Sequence, residues 1–406
     1  MENKRPRVPS AAIKHILIHE DVLNRFPERV KGILGHFPKV KPIIAPDLDQ
    51  ETINRHFLEA FPKADVSGRK KTSSTVSVGK RFMVIGAVEK EKGAEQFLDS
   101  KGMVCHGFNN INVMVNGCVY NCQNCFLQEH IWDKDVSSYI KLNVNYEDIL
   151  DRMREISGQR LNDGEATRFQ MGVLMDSLGC ESVTRFIEFM TPFLGEEVFS
   201  RSTIELLSKG NDIRVLLEVA KKYPWATRRL FPGWSINSVY AADKYEIGTA
   251  GTVQRLQAAR RLQDAGYELR FRIDPIVPYE GWKRDYVELV DMIYESFGLQ
   301  PYLVIVASLR FDEPGLINIA KERFSNSDLF SYDFPKEDKA KFRIPFDQRM
   351  ELFRTVIDRI RQHNRDQIIG ICKENMKTWK ALNMDPGKSC LSAPLLENTI
   401  DQFVLD

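Results

Sequence analysis

The chain has 406 residues, 43% of them hydrophobic, enough to bury the core of one large domain with appendages or of two to three smaller ones. Its 57 lysines and arginines nearly balance its 56 aspartates and glutamates, which excludes the global positive field of a strongly basic nucleic-acid-binding domain. No apolar run reaches the roughly 20 residues of a membrane span, and the basic start lacks the apolar region of a signal peptide. We therefore expect a cytoplasmic protein without membrane contact.

Residues 1–100 mix short helical patterns with a polar, basic tract at 68–81 that is typical of a loop. We interpret this region as an N-terminal extension. A different rhythm begins near Asn110, where short β-rich runs alternate with helical stretches.

Three closely spaced cysteines, Cys118, Cys122 and Cys125, follow the first of these runs, Ile111–Val115. They therefore lie on the loop at the carboxyl end of a strand, where barrel active sites form. Three thiolates leave one iron of a [4Fe–4S] cluster open, and S-adenosylmethionine (SAM) can chelate that iron through its amino and carboxylate groups. One electron from the cluster then cleaves SAM to methionine and a 5′-deoxyadenosyl radical.

Two other interpretations of the triad stay open. A zinc site needs four ligands, and Cys105, His106 or His130 is available to complete it. The cysteines are otherwise small buried hydrophobes without a ligand. The spacing Cys-x3-Cys-x2-Cys followed by an aromatic residue favours the cluster, and an odd total of seven cysteines fits a reducing compartment.

After the cysteines, strand and helix patterns alternate, which indicates parallel strands with helical crossovers. About six βα repeats are present, fewer than the eight of a closed barrel, so we predict an α/β fold with a partial (β/α)6 TIM barrel over residues 101–320. The predicted strands are Ile111–Val115, Arg168–Leu174, Thr203–Ser208, Gly233–Ser238, Tyr267–Asp274 and Tyr302–Leu309. The predicted helices are Tyr146–Ile156, Glu181–Met190, Asp212–Lys222, Thr252–Ala265 and Lys283–Phe297.

The remaining residues, 321–406, are interpreted as a C-terminal cap. Ser325–Arg343 is charged and rich in turn formers, Phe346–Gln362 has helical periodicity, and Gln367–Cys372 is a short β-like run. Cys372 and Cys390 in this tail have no neighbouring cysteine partner, so they do not indicate a second cluster. A structural role or the return of a hydrogen-donating thiol to the active site is the alternative.

The chain resembles the radical SAM superfamily, and more narrowly the spore photoproduct lyase family of DNA-repair enzymes, over roughly residues 80–320. The matching stretches are Gly117–Gln128 with the cysteines, Thr167-Arg-Phe169 leading to Asp176, Trp234–Ser238, Gly248-Thr249 and Glu280-Gly-Trp282. The resemblance implies one [4Fe–4S] cluster on the three cysteines, SAM as the second cofactor, and an electron donor such as flavodoxin or ferredoxin.

The resemblance also implies which residues contact SAM. Lys209 and Ser235, at the ends of the third and fourth predicted strands, offer hydrogen-bond donors for a carboxylate or ribose. Asp176 lies at the same rim, and Phe126 and Asn237 fall within the matching stretches. These five residues form the expected cofactor-binding set.

Four features depart from the family pattern. The family carries a hydrogen-donating cysteine after Thr-Arg-Phe, and Val173 occupies that position here. Cys180 is the candidate substitute, with a buried small hydrophobe as the alternative. The family's tyrosines on either side of the third cluster cysteine are replaced by Asn124 and Phe126. The family's basic, aromatic DNA-gripping hairpin is shortened to 339–345.

Together these observations predict a spore photoproduct lyase-like radical SAM enzyme that acts on a nucleic acid or nucleotide in DNA repair or modification. An alternative within the same chemistry is a small nucleoside or metabolite as substrate, which the balanced charge favours. An alternative of another class is a non-catalytic module that binds zinc or nucleic acid.

Overall fold

The computed structural model describes residues 13–66, 72–97, 103–104, 107–115, 117–128, 139–172, 175–311, 314–337 and 341–386. Residues 13–66 and 72–97 form alternating strands and helices, whereas the sequence pattern showed only helices. The loop predicted at 68–81 is wrong for residues 73–79, which form a helix that begins at the Thr72 cap. The elements are β1 (His15–His19), α1 (Glu20–Arg25), α2 (Pro27–Gly35), β2 (Ile43–Ala45), α3 (Gln50–Ala60), α4 (Ser73–Gly79), β3 (Phe82–Gly86) and β4 (Ala94–Phe97). Asp49 and Thr72 cap α3 and α4 by accepting the backbone N–H of Thr52 and Thr75.

The central part of the chain supplies most of a barrel. Its elements are β5 (Phe108–Ile111), β6 (Met114–Val115), β7 (Asn121–Cys122), β8 (Ile140–Asn143), α5 (Tyr146–Asn162), β9 (Thr167–Met171), α6 (Glu181–Thr184), α7 (Phe186–Met190), β10 (Ser202–Ser208), α8 (Arg214–Lys222), β11 (Leu230–Ile236), α9 (Val239–Tyr245), β12 (Glu246–Ile247), α10 (Thr252–Asp264), β13 (Arg270–Ile276), α11 (Trp282–Asp291) and β14 (Leu303–Ser308).

The last part of the chain adds a small sheet, a long helix and one more barrel strand. Its elements are β15 (Arg310–Phe311), α12 (Pro314–Arg323), β16 (Lys336–Glu337), β17 (Lys341–Arg343), α13 (Phe346–His363), β18 (Ile368–Ile371) and α14 (Met376–Ala381). Strands β15, β17 and β16 pair antiparallel.

The main sheet has the order β18-β14-β13-β11-β10-β9-β5-β4, and its strands from β5 to β18 run parallel. Helices follow its strands, which confirms the predicted α/β fold with a partial barrel. The sheet recruits β4 from the predicted N-terminal extension and β18 from the predicted cap. The division of the chain at residues 100 and 320 remains a prediction.

A second sheet, ordered β2-β1-β3-β8-β6, joins the N-terminal unit to the barrel. Strand β8 runs parallel to β3, and β6 runs antiparallel to β8. The predicted strand Ile111–Val115 is therefore divided, because β5 belongs to the barrel sheet and β6 to the second sheet. The loop that carries the three cysteines follows β6 and therefore begins between the N-terminal unit and the barrel.

The burial of the barrel strands explains why the sequence pattern predicted the barrel. Strand β14 reads LVIVAS and is buried at every position, as expected for a parallel strand covered on both faces. Its outward side chains, such as Val304 and Val306, join a core that includes Phe271 and Trp234. None of the helices that the structure describes combines the length and apolar character needed to cross a membrane.

Candidate active site

The three cysteines lie on one loop, residues 117–128, which we call the cluster loop. Cys122 is in β7 and pairs antiparallel with Glu246 of β12. A tight turn follows, because the Cys125 backbone N–H donates to the Cys122 carbonyl over 3.3 Å. All three cysteines are free, Cys122 is buried and Cys118 and Cys125 are half-buried. Their spacing thus brings three thiols together on one short, folded loop.

Amide side chains fix the shape of the cluster loop. Gln123 donates its side-chain N–H to the Lys244 carbonyl at 3.0 Å, and its backbone N–H to the Tyr245 carbonyl at 2.9 Å. Gln128 donates to the Gln123 carbonyl at 2.8 Å. The loop is therefore attached to α9 at the carboxyl end of the barrel strands.

Two cations hold the cluster loop from outside the barrel. Lys80, just after α4, donates to the Cys118 carbonyl at 3.0 Å. Arg323, at the end of α12, donates to the Asn121 side-chain oxygen at 2.6 Å and also to that of Gln128. Sequence reasoning missed both residues, because neither lies in a motif and their contacts join distant parts of the chain.

Burial sets the protonation of the thiols. It raises the pKa of Cys118 well above its usual range and that of Cys122 to about 12, although Lys80 favours both thiolates and Lys209 favours that of Cys122. Without a metal, both side chains are therefore thiols at neutral pH. A metal ion that binds here must displace these protons, as iron and zinc do at cysteine ligands.

Lys209 and Ser235 meet inside the barrel beside Cys122. The Lys209 ammonium donates to the Ser235 hydroxyl and to the Glu246 carboxylate, both at 2.6 Å. Arg255 lies 2.6 Å from the other Glu246 oxygen. Burial opposes the Glu246 carboxylate, but Arg255 and Lys209 outweigh it and lower its pKa to about 2. Glu246 was missed in the sequence because it stands just before the recognisable Gly248-Thr249.

Asn237 lies next to this pair, with its polar atoms occupied by the protein. Its side-chain N–H donates to the Pro275 carbonyl at 3.1 Å, and its oxygen accepts from the Tyr286 hydroxyl at 2.5 Å. Both are buried. The amide therefore holds the end of β11 against β13.

Asp176 is buried where β9 ends, and its carboxylate is likewise occupied. It accepts from the Ser208 hydroxyl and the Lys209 backbone N–H, both at 2.7 Å, and from the Leu178 N–H at 3.1 Å. Burial raises its pKa although these bonds oppose the shift. Asp176 therefore sets the position of Lys209 through its backbone, while Lys209 itself reaches Ser235.

Cys180 and Phe126 differ in their surroundings. Cys180 is 1% exposed, lies at the start of α6 and packs into the hydrophobic core. Burial raises the pKa of its thiol to about 12. Phe126 begins a short 3-10 turn of the cluster loop and is half-buried against the core. Val173, Cys105, His106 and His130 lie outside the described residues.

Cys372 lies near charged side chains of the barrel interior, in line with the hypothesis that the tail returns a thiol to the active site. It follows β18, and its backbone N–H donates to the Val306 carbonyl of β14 at 3.1 Å. Burial raises the pKa of its thiol, whereas Arg310 and Arg272 nearby favour the thiolate. This half-buried thiol faces the same interior as Lys209 and Ser235.

Comparisons with known proteins show which family the chain resembles. The family model described as spore photoproduct lyase matches residues 64–323. Spore photoproduct lyases from Geobacillus sp. (strain Y412MC61) and Bacillus subtilis (strain 168) are 29% and 30% identical over 53% and 44% of this chain. These matches span 60% and 48% of the relatives' own lengths, so the chain matches about half of each.

Solved structures show the same fold. A spore photoproduct lyase variant superposes with a TM-score of 0.68 at 20% identity and covers 90% of this chain and 99% of its own. A second variant, with bound AdoMet and dinucleoside spore photoproduct, gives the same score and coverage.

Proposed function

Because the chain belongs to the spore photoproduct lyase family, we propose that it is a radical SAM enzyme that acts on a nucleic acid or nucleotide in DNA repair or modification. The observation that carries this proposal is the arrangement of Cys118, Cys122 and Cys125. They are three free thiols on one folded loop at the carboxyl end of parallel barrel strands.

The residues present fit a [4Fe–4S] cluster with one open iron. Three thiols from one loop would serve as its ligands, and Lys80 and Lys209 favour the thiolate form of Cys122. When bound, cluster and SAM together supply a 5′-deoxyadenosyl radical by one-electron cleavage of SAM. The protein itself would hold the cluster loop in place, offset the negative charge of the thiolates and enclose the barrel interior.

Lys209 and Ser235 are the proposed contacts to SAM, since they meet at the rim beside Cys122. The Ser235 hydroxyl accepts from Lys209 and donates to the Asp274 carbonyl at 2.9 Å, so the Lys209 ammonium is the donor that SAM would meet. Phe126, on the same loop, offers an apolar surface. Asp176 and Asn237 belong to the same proposed set, and their occupied polar atoms support a part in positioning the ends of β9 and β11.

A dinucleoside spore photoproduct is bound by a solved relative of the same fold. We propose a related nucleic-acid or nucleotide substrate here. The family's hydrogen-donating cysteine is replaced by Val173 in this chain, so a different thiol would have to return the hydrogen atom. Cys180 remains the sequence-based candidate, although it is 1% exposed, and Cys372 is half-buried and faces the interior.

The first experiment tests the radical chemistry. Anaerobically purified and reconstituted protein should be brown, contain about four irons per chain and cleave SAM to 5′-deoxyadenosine after reduction. Cys118→Ala, Cys122→Ala and Cys125→Ala should each lose the chromophore and SAM cleavage, while Cys180→Ala should keep the chromophore. A colourless protein that holds zinc would overturn the proposal and favour the non-catalytic module.

The second experiment tests the substrate. Wild-type protein should repair the spore lesion poorly, because the C–H bonds of valine are too strong to donate. Val173→Cys should raise the yield of intact thymine at little packing cost, because cysteine is a slightly smaller hydrophobe. Efficient wild-type repair would point to another donor, for which Cys180→Ala and Cys372→Ala are the variants to compare.

Oligonucleotide binding across a salt series separates the substrate classes. Phosphate contacts along a strand give an affinity that falls steeply with salt. A flat, weak response would favour the small nucleoside or metabolite.

An electron donor of the flavodoxin or ferredoxin type is also part of the proposal. An assay without dithionite, in which such a protein supplies the electron for SAM cleavage, tests it.

A further inference from the structure

Three barrel strands, β9, β10 and β13, carry charged side chains on the face that lines the barrel interior. On β9 and β10 the outward side chains Phe169 and Ile204 pack into the hydrophobic core beneath the helices. The alternate positions point to the barrel interior, and there Arg168 of β9 meets Glu205 of β10. Strand β13 adds Arg270 and Arg272 to the same interior.

The arginines outnumber their counter-charge. Glu205 accepts from Arg168, and its other oxygen accepts from Arg272 at 3.0 Å. Arg270 comes no closer to Glu205 than 3.8 Å. Among these four side chains, three positive charges thus face one negative charge. Arg310 and Asp274, the charged groups above them, form an ion pair at 3.0 Å and leave that excess unchanged.

Arg270 is buried without a hydrogen-bond partner. It is 1% exposed, and its three guanidinium nitrogens make no hydrogen bond to the residues that the structure describes. The Phe231 ring lies 4.2 Å from its guanidinium carbon. Burial lowers the pKa of Arg270 to about 9, with Arg168 and Arg272 adding to the effect and Glu205 opposing it. Glu268, below it, lies beyond ion-pair distance and has a pKa that burial raises.

A buried arginine without a hydrogen bond is costly, because a charge removed from water needs a close anion or hydrogen bonds to compensate it. The Nε atoms of Arg168 and Arg272 and the hydroxyl of Thr203 are also buried and unpaired. Several polar groups of the same interior thus lack a partner that the described residues supply.

Two residues of β11, Gly233 and Ser235, lie beside these arginines. Gly233 of β11 pairs with Arg270, and a Cβ built there would make only ordinary contacts, the nearest 3.4 Å from the Arg270 carbonyl oxygen. One layer higher, Ser235 pairs with Arg272, whose side chain is 11% exposed. Arg272 is therefore the more accessible of the two arginines, and it lies on the side where Ser235 meets Lys209.

We propose that the barrel interior binds a phosphate group of the substrate through Arg272, in the layer of Ser235, and Arg270, one layer below it. Guanidinium groups match phosphate oxygens with paired hydrogen bonds, and two positive charges match a phosphate monoester. This inference rests on the proposed function and narrows its substrate to one that inserts a phosphate into the barrel, as a nucleotide does.

Binding measurements on the cluster-loaded, full-length protein with SAM present test this inference. Thymidine 5′-monophosphate should bind, and thymidine should bind at least roughly tenfold more weakly, since the loss of a charged hydrogen-bonding group costs about that much. Inorganic phosphate should compete with the nucleotide. Equal affinities for nucleotide and nucleoside would overturn the inference. So would phosphate binding that SAM abolishes, because the anion would then be SAM's own carboxylate.

Variants locate the binding site. Arg270→Met keeps the volume and the contact with Phe231 but removes the charge, and it should weaken nucleotide binding roughly tenfold or more. Arg272→Gln is the second variant, for use if the first does not fold. Arg284→Gln, on a side chain that is 81% exposed, is the matched control. Unchanged nucleotide affinity in a folded Arg270→Met or Arg272→Gln would refute the assignment.

Iron content and SAM cleavage without substrate separate this inference from the proposed function. Both should persist in Arg270→Met, because Arg270 does not touch the cluster loop in the described structure. Loss of nucleotide binding with intact SAM cleavage supports the inference. Absence of iron and SAM cleavage in the wild type would instead defeat the proposed function.

Discussion

Glu181 is a carboxylic acid buried without an ion pair among the described residues. Its oxygens accept from the Ile187 backbone N–H at 2.8 Å and the Thr184 hydroxyl at 3.0 Å. Burial nevertheless raises its pKa to about 8. The folded state therefore prefers the neutral acid, while the unfolded chain ionises near its ordinary pKa.

This difference predicts a pH-dependent stability. Because the folded-state pKa is the higher one, the contribution of Glu181 is present in full below about pH 4.5 and is lost as pH rises to about 8. The free energy of unfolding should fall by up to about 4 kcal/mol across that range. Glu181→Gln should flatten this part of the profile, as measured by urea unfolding from pH 5 to 9. An unchanged slope in the variant would show that other groups cause it.

Single residues were predictable from the sequence where a motif carried them. The three cysteines and Ser235 lie in recognisable stretches, and Lys209 directly follows a predicted strand. Glu246 and Arg270 gave no such signal, because their meaning depends on partners across the barrel. Glu246 lies 37 positions from Lys209. From the sequence alone, a charged residue inside an apolar run, such as Arg270, is expected to be exposed. Only its neighbours in the folded sheet show that it is buried.

At the scale of elements, the cluster loop depends on helix α12. Arg323 gives two charge-assisted hydrogen bonds to the loop, so Arg323→Gln should weaken its attachment by roughly 1.5–3 kcal/mol. Thiol alkylation of the metal-free protein should then be faster at Cys125. Arg323→Lys should restore part of the protection, and Lys321→Gln, on an exposed position of the same helix, should behave as wild type. Equal alkylation rates in all variants would contradict this role.

Long, buried elements were predicted and short ones were not. Strand β14 and helix α10 follow clear patterns of apolar residues. Strand β2 has three residues and helix α9 has seven, too few for a period to emerge. The predicted strand Gly233–Ser238 begins three residues earlier, as β11, because Leu230 and Phe231 are buried but follow a basic turn.

At the scale of the whole molecule, a buried ion cluster ties the end of the chain to the barrel. Glu374 lies 2.9 Å from Arg343 and 3.3 Å from Arg349, and none of the three side chains is exposed. Its backbone carbonyl accepts from the Val104 N–H at 3.0 Å. The segment after β18 is thereby fixed to β17 and α13.

Glu374→Gln should therefore destabilise the protein by about 3–5 kcal/mol, because it removes the buried carboxylate that Arg343 and Arg349 share. Arg349 keeps its other ion pair, with Glu337 at 2.5 Å. Urea unfolding at neutral pH measures the change. Glu351→Gln, which removes an exposed partner of Lys283, is the control and should cost no more than about 1 kcal/mol. A loss of similar size in both variants would argue against a special role for the buried cluster.

The residues that anchor the cluster loop are also synthesised at different times. Lys80 precedes Cys118 in the chain, whereas Arg323 lies 202 positions after Asn121. A ribosome that adds about 5–20 residues per second makes the cysteines on the order of 10 to 40 s before it makes Arg323. During that interval the nascent loop has its first anchor and lacks its last, so the loop can close fully only after most of the chain has been translated.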